Sequence, residues 1–248
     1  RADFDLSQPE NLREPLRRIR PDLVINAAAY TAVDQAEQEQ ELAFAINATA
    51  AGVMAEECAA LGIPLIHYST DYVFDGSKAS PYSENDQTNP LGVYGQSKLA
   101  GEQAVRAANG QHLILRTSWV YSQVGKNFLL TMQRLLQERS ELRVVDDQVG
   151  APTSARSIAE ATRQLIEHWQ AGTMQWGTYH FSCSGETSWF GFASAIAEHL
   201  QAQGKNCAQL TAIPSSDYPT PAQRPLNSRL NCQKLLQDWA VQLPEWRE

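Results

Sequence analysis

The sequence predicts an α/β protein built on a doubly wound parallel sheet, and two observations carry that prediction. Short apolar runs containing β-branched residues recur at 22–28, 64–70 and 112–118. Between successive runs lie segments long enough for a full helix, with apolar residues at helical spacing. Strands joined through helices take right-handed crossovers, which gives a parallel sheet covered on both faces. Ligands bind such sheets at the carboxyl ends of the strands, so chemistry is expected just after each run.

The elements follow in order. Ser7-Gln8-Pro9-Glu10, then Leu12, Leu16 and Ile19, reads as an N-cap, an early proline and an apolar stripe, so a helix opens there. The run 22–28, bounded by Pro21, reads as a buried strand. An alanine-rich helix spans 37–61, the next strand is 64–70, a helix covers 91–108, and a further strand is 112–118. After about residue 140 the alternation loosens, with helical stretches near 154–170 and 188–203, and a smaller C-terminal lobe begins. The segment 213–225 has four prolines in thirteen residues and is expected to be an extended loop. The expected division is 1–140 and 141–248, with part of 150–172 returning to the first unit.

At 248 residues the chain has room for one large domain carrying a smaller lobe. No apolar run approaches the roughly 20 residues that span a bilayer, and no signal peptide opens the sequence, so no membrane and a cytoplasmic location are expected. Cys58, Cys183, Cys207 and Cys232 form no C-x-x-C pair, which argues against a zinc site and a disulfide framework. A net charge of −8 disfavours nucleic acid as a partner.

Tyr94-Gly95-Gln96-Ser97-Lys98 sets a phenol and an ammonium four apart, one turn from each other on one face of a helix. A ketone reduced by hydride needs a proton for its alkoxide, and a tyrosine still holds its proton at neutral pH. Lys98 is expected to lower the phenol's pKa and to reach a cofactor ribose. Such a spacing also occurs on ordinary solvated helix faces. The strand before it ends in Ser69-Thr70-Asp71-Tyr72-Val73-Phe74-Asp75-Gly76, which leaves the Thr70 hydroxyl where ligands bind, able to orient the same carbonyl oxygen. Thr70, Tyr94 and Lys98 are the candidate catalytic residues.

Asn26-Ala27-Ala28-Ala29-Tyr30-Thr31-Ala32-Val33-Asp34, the block 69–76, the block 94–98 and Arg116-Thr117-Ser118-Trp119-Val120-Tyr121 stand in the order of the extended short-chain dehydrogenase/reductases, which the chain resembles. The blocks 146–153 and 224–228 resemble the dTDP-4-dehydrorhamnose reductases in particular. The resemblance covers nearly the whole chain. It implies a Rossmann-like dinucleotide-binding domain at 1–140 and a sugar-nucleotide-binding lobe at 141–248. The implied reaction is NADPH- or NADH-dependent reduction of the C4 ketone of dTDP-6-deoxy-L-lyxo-4-hexulose to dTDP-L-rhamnose. By resemblance Ala28, Ala29, Tyr30, Ser69, Tyr94 and Lys98 meet the cofactor. Thr31, Val33, Thr70, Tyr72 and Trp119 meet the sugar, while Arg224 and Asn227 face the nucleotide. An indole can cover a sugar's apolar face, and Trp119 also suits core packing. Arg224 suits a two-pronged phosphate contact, although an ion pair is the commoner fate of an arginine.

The family's glycine-rich phosphate turn belongs before residue 1, and no such motif opens this sequence. The expectation is therefore an N-terminally incomplete Rossmann-like unit, with roughly 35 to 40 residues upstream by the usual size of a βαβ unit, and poor dinucleotide binding by a chain starting at Arg1. Arg1 itself reads as a relic of a contact to NADPH's extra phosphate. Some family members form magnesium-linked dimers through a glutamate where this chain has Arg156, so no metal is expected and a homodimer would lack that bridge. The triplet Thr70-Asp71-Tyr72 lacks the glutamate that sugar-nucleotide dehydratases carry, which favours reduction over elimination and over epimerisation. The alternatives are another sugar-nucleotide reductase or epimerase, or a non-catalytic regulatory subunit of the methionine adenosyltransferase type.

Overall fold

In the computed structural model, which describes residues 4–248, a 3-10 turn at Pro9–Leu12 leads into α1 (Arg13–Ile19) and β1 (Val24–Asn26). The reading of Arg1 lies outside the described residues. Short helices α2 (Val33–Ala36) and α3 (Gln40–Phe44) continue through a π-helical turn, Ala45–Thr49, into α4 (Ala50–Leu61). Then come β2 (Leu65–Thr70), a 3-10 turn at Asp71–Val73, α5 (Val93–Ala108) and β3 (His112–Thr117). The second half holds β4 (Val120–Tyr121), α6 (Phe128–Glu138), β5 (Glu141–Val145), β6 (Val149–Gly150), β7 (Thr153–Ser154) and α7 (Ala155–Gln170). It closes with β8 (Gly177–His180), β9 (Thr187–Ser188), α8 (Trp189–Ala202), β10 (Gln209–Ile213) and α9 (Gln233–Trp239).

The main sheet has the order β1-β2-β3-β8, with every pair parallel. Its two central strands are sealed on both faces, which is why they read as continuous apolar runs. Leu65 and Ile114 face α4 and α5 with Ala51, Ala55, Cys58 and Val105. Ile66, Leu113 and Leu115 face the other way, into a cluster with Ile158, Ala161 and Leu165 of α7. These five strand residues are 0% exposed, and each contributes on the order of 2 kcal/mol by leaving water. The same cluster continues through Phe192, Ile196 and Leu200 of α8 to Val144 of β5. β5 pairs with β10 in parallel, β4 with β7 in parallel, and β6 with β9 antiparallel. Among the described residues no helix is long and apolar enough to cross a membrane.

Four expectations are corrected. Ser7 does not cap α1; its hydroxyl bonds Asp5 at 2.7 Å. The first strand keeps only three of its expected residues, and Ile25 is 42% exposed, because among the described residues β1 has a hydrogen-bonded neighbour on one side only. The expected single helix 37–61 is broken by the π turn, whose extra residue lets Asn47 reach away from its own helix. The segment 213–225 is not wholly irregular, for Ile213 ends β10 and Ser215–Asp217 form a 3-10 turn.

Candidate active site

The carboxyl ends of β2 and β3 open into a cavity of about 730 Å³. β2 supplies Thr70 to its wall, the first two turns of α5 supply Tyr94 and Lys98, and β3 runs on through Thr117 to Trp119. Ala29, Thr31, Val33, Ser69 and Tyr72 also line it. Along the segment after β1, Ala27, Ala29 and Thr31 face the cavity while Ala28 and Tyr30 do not, as alternation in an extended chain requires. Two small alanine side chains leave that wall free of bulk, which suits close approach by a flat cofactor ring.

α5 is held at close quarters. A Cβ on Gly95 would lie 2.2 Å from the Tyr72 carbonyl oxygen, and one on Gly101 would lie 2.1 Å from that of Asn47. Asn47, 1% exposed, accepts from Tyr30 N at 2.8 Å and donates to Tyr30 O and Ser97 Oγ, both at 3.0 Å. It therefore ties the segment lining the cavity to the helix carrying Tyr94 and Lys98. Sequence reasoning missed it, although an asparagine inside an alanine-rich helix is the signal that could have flagged it.

Burial pushes the Tyr94 phenol up to about 12, with Asp71's charge adding to the rise and Thr70 opposing it. Burial drives Lys98 down to about 8, against the pull of Glu102, so its ammonium stays charged at neutral pH. That ammonium donates to the Tyr68 carbonyl at 2.6 Å. The expectation that Lys98 brings Tyr94 toward working pH is thus corrected: desolvation dominates the phenol, and the lysine is engaged with β2. Thr70 Oγ1 accepts from Tyr72 N at 3.2 Å and donates to Asp71 Oδ1 at 3.1 Å. The Ser69 hydroxyl is turned away to Glu102 at 2.6 Å, within a buried pair of Glu102 and Arg116.

Trp119, at φ 49°, stacks on Trp189 with ring centroids 3.6 Å apart and planes within 10°. A Cβ on Gly150 would meet the Trp119 ring at 2.7 Å, so a glycine is needed there. Trp189 lines the cavity as well, and nothing in its local sequence marks it. Tyr72 meets Tyr94 edge-on at 5.4 Å. Arg224 and Asn227 are not on the cavity wall. Arg224 is paired with Asp34, and the buried Asn227 amide donates to the carbonyls of Lys78 and Ser80 while its oxygen accepts from Arg229. Tyr30 donates its phenol proton to Glu39 at 2.8 Å. Among the described residues no group of three or more His, Cys, Asp or Glu could hold a metal ion.

Sheet order, cavity position and the Tyr94 to Lys98 spacing on α5 place the chain in the extended short-chain dehydrogenase/reductase class. The family described as the RmlD substrate binding domain matches residues 1–248, and the chain belongs to it. It is 48% identical over 245 residues to the dTDP-4-dehydrorhamnose reductase of Escherichia coli strain K12, covering 98% of this chain and 82% of that one. The reductase of the same name from Sinorhizobium fredii is 46% identical over 252 residues, covering 100% and 84%. A solved dTDP-4-dehydrorhamnose reductase from Bacillus anthracis, in complex with NADP, matches with a TM-score of 0.91 and 36% identity over 99% of this chain and 84% of that one. The UDP-glucose 4-epimerase of Thermus thermophilus shares the fold, with a TM-score of 0.75 at 21% identity, covering 95% and 78%.

Proposed function

We propose that the chain reduces the C4 ketone of dTDP-6-deoxy-L-lyxo-4-hexulose to dTDP-L-rhamnose with NADPH or NADH, in keeping with the name its relatives carry. The observation that carries this reading is the meeting of Thr70, Tyr94 and Lys98, from two separate elements, on the wall of one cavity. The reduced nicotinamide, when bound, supplies the hydride. Tyr94 gives its proton to the oxygen at C4 and Thr70 helps fix that oxygen. Lys98, charged and held by Tyr68, is set to bond the cofactor ribose. Ala28, Ala29, Tyr30 and Ser69 complete the cofactor's surroundings, partly through backbone. Thr31, Val33, Tyr72 and Trp119 surround the sugar, and Arg224 and Asn227 serve the nucleotide. In this reading residues 1–140 hold the cofactor and 141–248 the sugar nucleotide, with α7 packed back on the main sheet. The partner is a dTDP-sugar in the cytoplasm, without nucleic acid, membrane or metal, and any homodimer lacks a magnesium bridge because Arg156 cannot ligate one.

The test is the loss of NADPH or NADH absorbance on adding dTDP-6-deoxy-L-lyxo-4-hexulose, with the product identified as dTDP-L-rhamnose. Turnover confined to another keto-sugar would move the reading to a different reductase or epimerase. No turnover with any such sugar would favour the regulatory alternative.

A further inference from the structure

The block 146–153 stands out in the sequence, and nothing in the reaction above uses it. Its Gln148 is 8% exposed and lies behind the cavity wall, not on it. The side chain bonds in two directions. Its Oε1 accepts from Trp189 Nε1 at 3.2 Å, and its Nε2 donates to Ser215 Oγ at 2.9 Å. Trp189 is the cavity-lining ring stacked on Trp119, and Ser215 opens the 3-10 turn of the proline-rich segment 213–225. Chemistry fixes which end of the amide faces which partner. An indole N–H can only donate, so the oxygen must face Trp189. The Ser215 hydroxyl gives its one proton to Asp147 Oδ1 at 2.6 Å, which leaves it lone pairs that call for a donor. Glutamine has one acceptor end and one donor end; an ionised glutamate has only acceptors, and leucine has neither.

The neighbours of Gln148 hold the same segment near both of its ends. Asp147 accepts from Ser215 N at 2.9 Å, while Val149 N donates to Leu226 O at 2.8 Å and Val149 O accepts from Ser228 N at 2.7 Å. β6 pairs with β9, whose Ser188 caps α8 immediately before Trp189. Gly150 packs on the Trp119 ring. The run 147–150 thus touches the two stacked indoles on one side and the proline-rich segment on the other. Stacking, and the apolar contact of Trp189 with Phe128, set ring separation but hold rotation within the ring plane weakly. A hydrogen bond to Nε1 is directional and supplies that missing restraint.

We propose that Gln148 is a positioning residue for the sugar nucleotide: through one amide it fixes the Trp189 ring against Trp119 and ties that platform to the proline-rich segment. The inference rests on the reading of Trp119 as a sugar contact. The ligand class it serves is a hexose carried on a nucleoside diphosphate, with the apolar face of the sugar against the indoles and the nucleotide beside the segment that carries Arg224. Gln148 touches neither part and acts through Trp189 and Ser215.

Gln148→Leu keeps the bulk and removes both bonds. In the ligand-free protein with nitrogen-labelled tryptophan, the Trp189 and Trp119 indole signals are read by nuclear magnetic resonance, each identified by its loss in the Trp→Phe variant. In Gln148→Leu the Trp189 N–H proton is expected to move upfield and exchange faster with water, and the Trp119 signal to shift with it. Hydrogen exchange across 215–220 should speed up. KM for the sugar nucleotide should rise about fivefold, the size of one lost neutral hydrogen bond, while kcat moves far less. On a Trp189→Phe background, which has no indole N–H, Gln148→Leu should add much less to KM. At alkaline pH, where its carboxyl is ionised, Gln148→Glu should keep the Trp189 signal bonded yet loosen 215–220, because its second oxygen faces the Ser215 lone pairs and Asp147. Indole signals unchanged in Gln148→Leu overturn the proposal, as does an equal rise in KM with and without the Trp189 indole. Because the resonance and exchange measurements use neither cofactor nor sugar, shifted indoles in a protein that reduces no keto-sugar count against the reductase reading and not against the tie from Trp189 through Gln148 to Ser215.

Discussion

Arg224 and Asp34 stand 190 residues apart in the chain and meet in a two-pronged ion pair, Nη1 to Oδ1 at 2.9 Å and Nη2 to Oδ2 at 2.8 Å. The same guanidinium holds Thr220 Oγ1 at 2.7 Å and the Ala222 carbonyl at 2.9 Å. It therefore closes the proline-rich strap onto α2, beside the residues that line the cavity.

Arg224→Ala should loosen the strap more than it destabilises the fold. The pair is partly exposed, at 23% and 41%, so its global contribution is about 1 kcal/mol. Hydrogen exchange across 218–226 should speed up clearly while the urea midpoint barely moves. If Arg224 also serves the nucleotide, dTDP binding should weaken about tenfold, the loss of a charge-assisted bond. Calorimetry showing unchanged dTDP affinity would leave the residue as a tie alone.

Tyr94→Phe should lower kcat by at least ~100-fold with the fold intact, the usual size of a lost general acid. Steady-state assay beside a circular dichroism melt decides it. Turnover within a few-fold of the parent would remove Tyr94 from the chemistry.

Glu102 and Arg116 form a pair 0% and 3% exposed behind the strand end. Burial is the largest single effect and raises the Glu102 carboxyl, but the Arg116 hydrogen bonds, the Ser69 hydroxyl and the charges of Arg116 and Arg106 together outweigh it and hold the group below its ordinary value. A carboxyl so depressed contributes stability that is present above the ordinary carboxylate range and is lost as pH falls through the folded value. Glu102→Leu leaves Arg116 buried and uncompensated, at a cost of about 3–5 kcal/mol in urea unfolding at neutral pH. The difference between parent and variant should narrow in acid; a constant difference from neutral to strongly acidic pH would contradict the assignment.

Trp189→Ala removes the partner of Trp119 and opens the cavity wall. KM for the sugar nucleotide should rise about tenfold, with kcat within a few-fold, since the lost contact is made equally in ground and transition states. A KM that stays put would show that the stack serves packing only.

Much of this molecule is written locally. β2 and β3 are found within a residue or two of expectation because both faces of each are sealed, which leaves an unbroken apolar run. α7 and α8 start where Ser154 and Ser188 cap them, accepting from Ser157 N and Gly191 N. Tyr94 and Lys98 follow from the helical period, and Thr70 from its place at a strand end.

What the sequence by itself determined is therefore the alternation of elements and the residue types at their ends, since propensity, capping and burial act between neighbours in the chain. Only the tertiary structure decided which distant groups meet. It turned the Asn47 amide to Tyr30 and Ser97, set Trp189 on Trp119, spent Arg224 on Asp34, and placed Gln148 between Trp189 and Ser215. Those pairings depend on packing between segments dozens of residues apart, and on desolvation that raises one group and lowers another. A linear pattern carries no record of either.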